Sequence, residues 1–256
     1  MGAARFGSLG LAMTSSPSRT NEVVRIVAPA KLTTELRVTG VRDDGMHEID
    51  AEMVTLDFYD ELLVTAGGSG VSIVGDAGSL IDPNDNLITR AADLAGVEVG
   101  VELHKRIPAG AGLGGGSADA AAVLRWAGFT DVERAATIGA DVAFCLSGGR
   151  ARVRGIGELV EPLAFEPRTF TIVTPSIHCS TPAVYAQWDA MGGPTGDNGN
   201  DLEPAALVVA PELARTRDTL GEATGLTPRL AGSGSTWFVE GAFPDAGAVY
   251  NTIEAH

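Results

Sequence analysis

The sequence has 256 residues, 45% of them hydrophobic, enough to bury one large core or two smaller ones. Its formal net charge of −15 repels polyanions, which excludes non-specific binding to nucleic acid or to an anionic membrane surface, so any phosphate must be held locally. The two cysteines, Cys145 and Cys179, and the lack of a Cys/His cluster with zinc-ligand spacing fit a reduced, cytoplasmic protein with no metal site of its own.

Residues 1–20 are small and polar around a short apolar stretch, Leu9 to Met13, and read as a disordered leader rather than a signal peptide. No segment approaches the roughly 20 apolar residues of a membrane span. From Glu22 to Val74 the pattern is period-two, with runs at Val23 to Val27, Leu32 to Val38, Met53 to Phe58, Leu62 to Thr65 and Val71 to Val74. These predict a mostly antiparallel sheet. A helix follows from Asn86 to Ala95, then a strand from Val97 to Leu103, a glycine-rich loop, and helices at Ser117 to Trp126 and Asp131 to Ile138. Gly148 to Arg154 and Glu158 to Pro162 read as a hairpin closing a first domain, 21–163.

The second domain, 164–256, opens with a strand at Phe170 to Thr174 and a helix from Thr181 with Pro182 in its first turn. Helices at Asp201 to Val209 and Pro211 to Thr224 follow a polar loop at Gly192 to Gly199. Strands at Pro228 to Ala231 and Thr236 to Glu240 flank Gly232-Ser-Gly-Ser235, and a last helix is expected from Asp245 to Glu254. Strands and helices do not alternate regularly, so the class is α+β in two domains.

The chemically pointed stretch is Pro108, Ala109, Gly110, Ala111, Gly112, Leu113, Gly114, Gly115, Gly116 and Ser117, between a strand and an alanine-rich helix. Its five glycines let the backbone approach a ligand closely, and the helix aims unpaired N–H groups and its positive dipole end at the loop. That combination is an anion site suited to phosphate. No Gly-Lys-Ser/Thr closes the loop, so it is not a Walker A. The G-x-G-x-x-G of Gly110, Gly112 and Gly115 lacks the second strand and acidic residue of a dinucleotide site. Two further residues stand out. Lys31 is a lone charge in an apolar strand, either a strand-end charge reaching solvent or the partner of a carboxylate. Asp141 lies between a helix end and an apolar run, either a turn residue or a base that takes a proton from a substrate hydroxyl.

Taken in order, Pro29-Ala-Lys-Leu32, Arg42-x-Asp44-Gly-x-His47-Glu48, the glycine loop, Gly139-Ala-Asp-Val142, Asn200-Asp-Leu-Glu203 and Gly232-Ser-Gly234 resemble the motif set of the GHMP-superfamily small-molecule kinases. The resemblance implies ATP-dependent phosphoryl transfer to a small-molecule alcohol, with Mg²⁺ between the phosphates, in a cleft between two domains of an α+β fold. By matched position it makes Asp141 the catalytic base, Lys31 the lysine beside it, and residues 108–117 the phosphate clamp. It makes Thr33, Met46, His47, Tyr185, Gly232, Ser233 and Gly234 the acceptor site, with His47 reading a cytosine edge and Tyr185 flanking the base. The sequence departs from the family pattern at Thr33 (asparagine expected), Met46 (aromatic), Ala118 (serine) and Ala143 (proline). A GHMP kinase for another alcohol, such as mevalonate or homoserine, and a non-catalytic nucleotide-binding relative are the alternatives. The oligomer is expected to be a monomer or homodimer.

Overall fold

The architecture is built on two long strands that the sequence shows only as fragments. The structure, a computed structural model, describes residues 22–74 and 86–255. The leader expected at 1–20 lies outside the described residues. The first two apolar runs fuse into β1 (Val23–Val41), and the next two belong to β2 (His47–Ala66). They pair antiparallel from Val23 opposite Thr65 to Val41 opposite His47. Pro29 has no N–H to give the ladder, and the register shifts between Pro29 and Lys31. The Lys31 N–H leaves the ladder and donates to the Leu113 carbonyl at 3.0 Å, tying the glycine-rich loop to β1.

On its other side β2 is shared. Residues Glu61 to Ala66 pair with β4 (Val99–His104), and Ile49 to Val54 pair with β5 (Arg150–Gly155). β3 (Val71–Val74) runs parallel to β4, and β6 (Leu159–Pro162) completes the sheet beside β5. A second antiparallel sheet has β7 (Thr169–Val173) between β9 (Trp237–Glu240) and β10 (Ala248–Asn251), with β8 (Arg229–Leu230) beyond β9. We propose the division of the chain at 163/164, between the last strand of one sheet and the first of the other.

The helices are α1 (Leu87–Ala95), α2 (Gly115–Trp126), α3 (Val132–Ala136), α4 (Ala140–Ser147), α5 (Thr181–Ala190), α6 (Glu203–Val209) and α7 (Leu213–Thr224). α2 is buried along its middle, Ala118 to Leu124, where its alanines let α1, α4 and β1 approach closely. The core runs through both halves: Leu62, Val101, Leu124 and Phe144 share one cluster with Leu202, Leu220 and Trp237. A smaller cluster holds Leu32, Leu56, Ile107, Leu113, Phe170 and Phe238.

Two sequence expectations are corrected, and one stretch that the sequence left unassigned is a helix. The helix expected at Asp245 to Glu254 is the edge strand β10, where Tyr250 stacks on Phe58 at 4.7 Å and Val249 and Tyr250 pair with β7. β-branched and aromatic side chains fit that pleated surface better than a helix. The apolar run after Asp141 is a helix, α4, buried on too many sides to show amphipathic spacing. Ser117 does not begin α2: the helix starts two residues earlier, after Gly114 at φ 67°.

Candidate active site

Lys31 reaches the site through the bulge in β1. It is 5% exposed, and its ammonium donates to Thr33 Oγ1 at 3.0 Å and pairs with Asp141 Oδ2 at 3.1 Å. Asp141 sits in the first turn of α4, where the positive end of the helix dipole favours a carboxylate, and its side chain remains 32% exposed. Thr33, where the family pattern has asparagine, still supplies the lysine with an oxygen partner.

The glycine-rich loop is wedged between this pair and the turn at Gly232. A Cβ on Gly114 would lie 2.6 Å from Lys31 Cγ, and one on Gly112 would lie 2.5 Å from the Ala231 carbonyl oxygen. Both glycines have positive φ, so the close approach and the left-handed backbone demand glycine together. Thr236 N–H donates to the Ala111 carbonyl at 3.2 Å, holding the two loops together. Asn200, 3% exposed, fastens the second loop: its Nδ2 donates to the Leu230 and Gly232 carbonyls at 2.8 and 2.7 Å.

Two cavities open on either side. One, of about 450 Å³, is lined by Pro108, Ala109, Gly110, Ala111, Gly112, Gly114, Gly115, Gly116 and Ser117, with an apolar wall of Val71, Ile73, Leu87, Ile88 and Leu103. The other, of about 620 Å³, is lined by Lys31, Thr33, Met46, His47, Tyr185, Gly232 and Ser233. They share Gly112, Ser117 and Asp141, so the aspartate stands where they meet. Two expected residues face elsewhere. Leu113 is 1% exposed in the core between the sheets, because an apolar side chain in this loop is worth more as an anchor. Gly234 lies behind the rim, its carbonyl turned to Gly112.

A glycine-rich loop at a helix N-terminus and a second, larger cavity thus converge on one carboxylate. Residues 86–149 match the GHMP kinases N terminal domain. The 4-diphosphocytidyl-2-C-methyl-D-erythritol kinase of Paracoccus denitrificans is 39% identical over 234 residues, covering 84% of this chain and 85% of that protein. The enzyme of the same name from Nitratidesulfovibrio vulgaris is 33% identical, over 92% and 96% of the two chains. The chain belongs to this family of GHMP kinases. A crystal structure of 4-(cytidine 5'-diphospho)-2C-methyl-D-erythritol kinase superposes with TM-score 0.71 at 32% identity, covering 90% of this chain and 98% of that one. The mevalonate kinase of L. major, 14% identical with TM-score 0.61, shares the fold.

Several residues of this kinase site escape a reading of the sequence. Lys105, just before the loop, is buried with its ammonium on Asp60 Oδ2 and, at 2.8 Å, on Asp119 Oδ2. Asp60 Oδ1 also accepts from the Ile107 N–H at 2.7 Å. Burial pushes the Asp119 carboxyl up to about 7 against the pull of Lys105, and its Oδ1 is buried without a partner among the described residues. Burial and the Asp141 charge push the Tyr185 phenol up to about 12, which keeps that ring neutral. Trp188 and Asp189, on the same helix as Tyr185, flank His47. Asp119 could have been noted as an acidic residue inside an alanine-rich helix. The others carry no signal in sequence, since their partners are distant in the chain.

Proposed function

We propose that the protein transfers the γ-phosphoryl group of ATP to a hydroxyl of 4-diphosphocytidyl-2-C-methyl-D-erythritol, a step in non-mevalonate isoprenoid precursor biosynthesis. The observation that carries this reading is the meeting of the two cavities at Asp141. The glycine loop and the start of α2 hold the phosphates, and the apolar wall of that cavity suits the adenine. In the second cavity the acceptor hydroxyl lies against Asp141, which takes its proton as the oxygen attacks phosphorus and ADP departs. Lys31 holds the carboxylate in place and offsets negative charge that builds on the transferring group.

The residues present fit Mg²⁺ as an ion carried by the nucleotide. The described residues contain no cluster of three metal-ligating side chains, and Mg²⁺ needs few protein ligands when phosphates supply the rest. Ser117 and Asp141, the hard oxygen donors on the shared rim, would hold it. When bound, it neutralises charge on the phosphate oxygens. The reading also includes a cytoplasmic location and action as a monomer or homodimer, without nucleic acid. No helix among the described residues is long and apolar enough to cross a membrane.

The test is ADP release with Mg²⁺ and ATP against a panel of alcohols: the diphosphocytidyl compound, mevalonate and homoserine. Turnover with the first alone is expected. Turnover with another alcohol instead would move the substrate assignment, and binding of ATP without turnover of any would favour a non-catalytic relative.

A further inference from the structure

Helix α5 turns three side chains onto a single partner across the acceptor cavity. Tyr185, Trp188 and Asp189 are spaced i, i+3 and i+4 and share one face of the helix. Their partner is His47, the first residue of β2. Its ring centroid lies 4.6 Å from that of Tyr185 at 36°, and 5.7 Å from Trp188 in an edge-on contact at 83°. Its Nε2 is 2.9 Å from Asp189 Oδ1. Trp188 is itself fixed, its indole N–H donating to the Pro194 carbonyl at 2.9 Å. The imidazole is held on three sides, and its side chain is only 11% exposed.

A carboxylate oxygen accepts a hydrogen bond and cannot donate one, so this contact places the proton of a neutral imidazole on Nε2. Nδ1 is left as a bare acceptor. It has no hydrogen-bond partner among the described residues and is not one of the atoms buried without one. His47 lines the acceptor cavity, and Nδ1 is the ring nitrogen that no protein group among the described residues occupies. An acceptor attracts an amino group and repels a carbonyl oxygen. Cytosine and uracil differ in that respect at C4, which carries an amino donor in one and an oxygen acceptor in the other.

We infer that Asp189 is a positioning residue that selects the His47 tautomer and thereby the preference for a cytidine-bearing over a uridine-bearing acceptor. The inference rests on the reading of His47 as the residue that faces the base. Its test compares the wild type with Asp189→Ala and Asp189→Asn at pH 8. The probes are the diphosphocytidyl substrate and its diphosphouridyl counterpart. For Asp189→Ala, KM for the cytidyl substrate should rise about tenfold with kcat within about twofold and KM for ATP unmoved, as expected for loss of one hydrogen-bonding preference. The cytidyl-to-uridyl ratio of kcat/KM should fall by a similar factor. Asp189→Asn keeps the shape but can accept from or donate to the ring, so the ratio should fall there too, with a smaller rise in KM.

A ratio that stays at the wild-type value in both variants, even with a lowered thermal midpoint, would make Asp189 a structural tie and overturn the inference. A wild type that turns over both probes equally would instead overturn the reading of His47, and it would do so before any variant is compared.

Discussion

Lys31 and Lys105 are both withdrawn from water and both paired with carboxylates, and they flank the same glycine-rich loop. Lys105 has a side chain 1% exposed between Asp60 and Asp119, which are 0% and 3% exposed. Burial lowers its affinity for a proton, but the two carboxylates more than offset this and hold the ammonium above the usual lysine range. Lys31 is almost as buried, yet its partner Asp141 is a third exposed and borders both cavities. A buried ion pair becomes chemically useful when one member keeps a face toward the ligand. Lys105 and Asp119 also line the cavity beside the glycine loop, but with side chains 1% and 3% exposed they act as a fastener for the loop they support.

The contrast can be broken at either end. Asp141→Asn should lower turnover by on the order of 10²–10⁴, because the amide can hold a hydroxyl but cannot take its proton. ATP affinity measured by calorimetry without Mg²⁺ should stay near wild type, and the thermal midpoint should fall only by a few degrees, because the amide oxygen still accepts from the buried Lys31 ammonium. Lys105→Met should act in the opposite way, leaving two buried carboxylates without their cation at a cost of about 3–5 kcal/mol. A thermal midpoint lowered by roughly 10 °C is expected in a chain of this size. A stable Lys105→Met would remove the distinction between the two lysines.

A smaller effect sharpens it through pH. The Asp119 carboxyl binds its proton up to about 7 in the native state, against 3.8 in the reference state. The native state therefore keeps a proton that the unfolded chain has released, and this group's contribution to stability falls as pH rises from about 4 to 7, then levels off. Asp119→Asn removes that titration, so its midpoint relative to wild type should improve between pH 5 and 7.5; a constant difference would sink the assignment. The smallest effect concerns Met46, 47% exposed at the rim of the acceptor cavity. Met46→Tyr should lower KM for the diphosphocytidyl substrate several-fold, by the roughly 0.5–1.5 kcal/mol of an aromatic contact. A rise in that KM would count against a base stacked at this position.

Lys31, Asp141 and the glycine loop were legible in the sequence because each lies in a short local pattern whose residue types answer to phosphate chemistry. What the patterns could not convey was direction. Leu113 looks like part of the clamp, but its side chain belongs to the core and its carbonyl is taken by the Lys31 N–H of β1. Gly114 reads as clearance for phosphate, whereas a side chain there would strike Lys31 first. The two long strands were read as four because Pro29 and the bulges interrupt the alternation without ending the pairing. β10 was read as a helix because four residues are too few for period two to declare itself. Contacts at long range left no trace: His47 and Asp189 are 142 positions apart, and Asp60 and Lys105 are 45.

The common rim of the two cavities, formed by Gly112, Ser117 and Asp141, also bears on how the enzyme could be blocked. A single molecule joining a nucleotide-like half to a cytidine-like half would make the second binding event intramolecular. Because the pockets abut, the tether can be short and its effective concentration high. Such a compound should exceed the better of its halves by on the order of 10²–10⁴ in affinity without any contact that the halves do not already make. Selectivity over other ATP-dependent enzymes would come from the half that reads the acceptor.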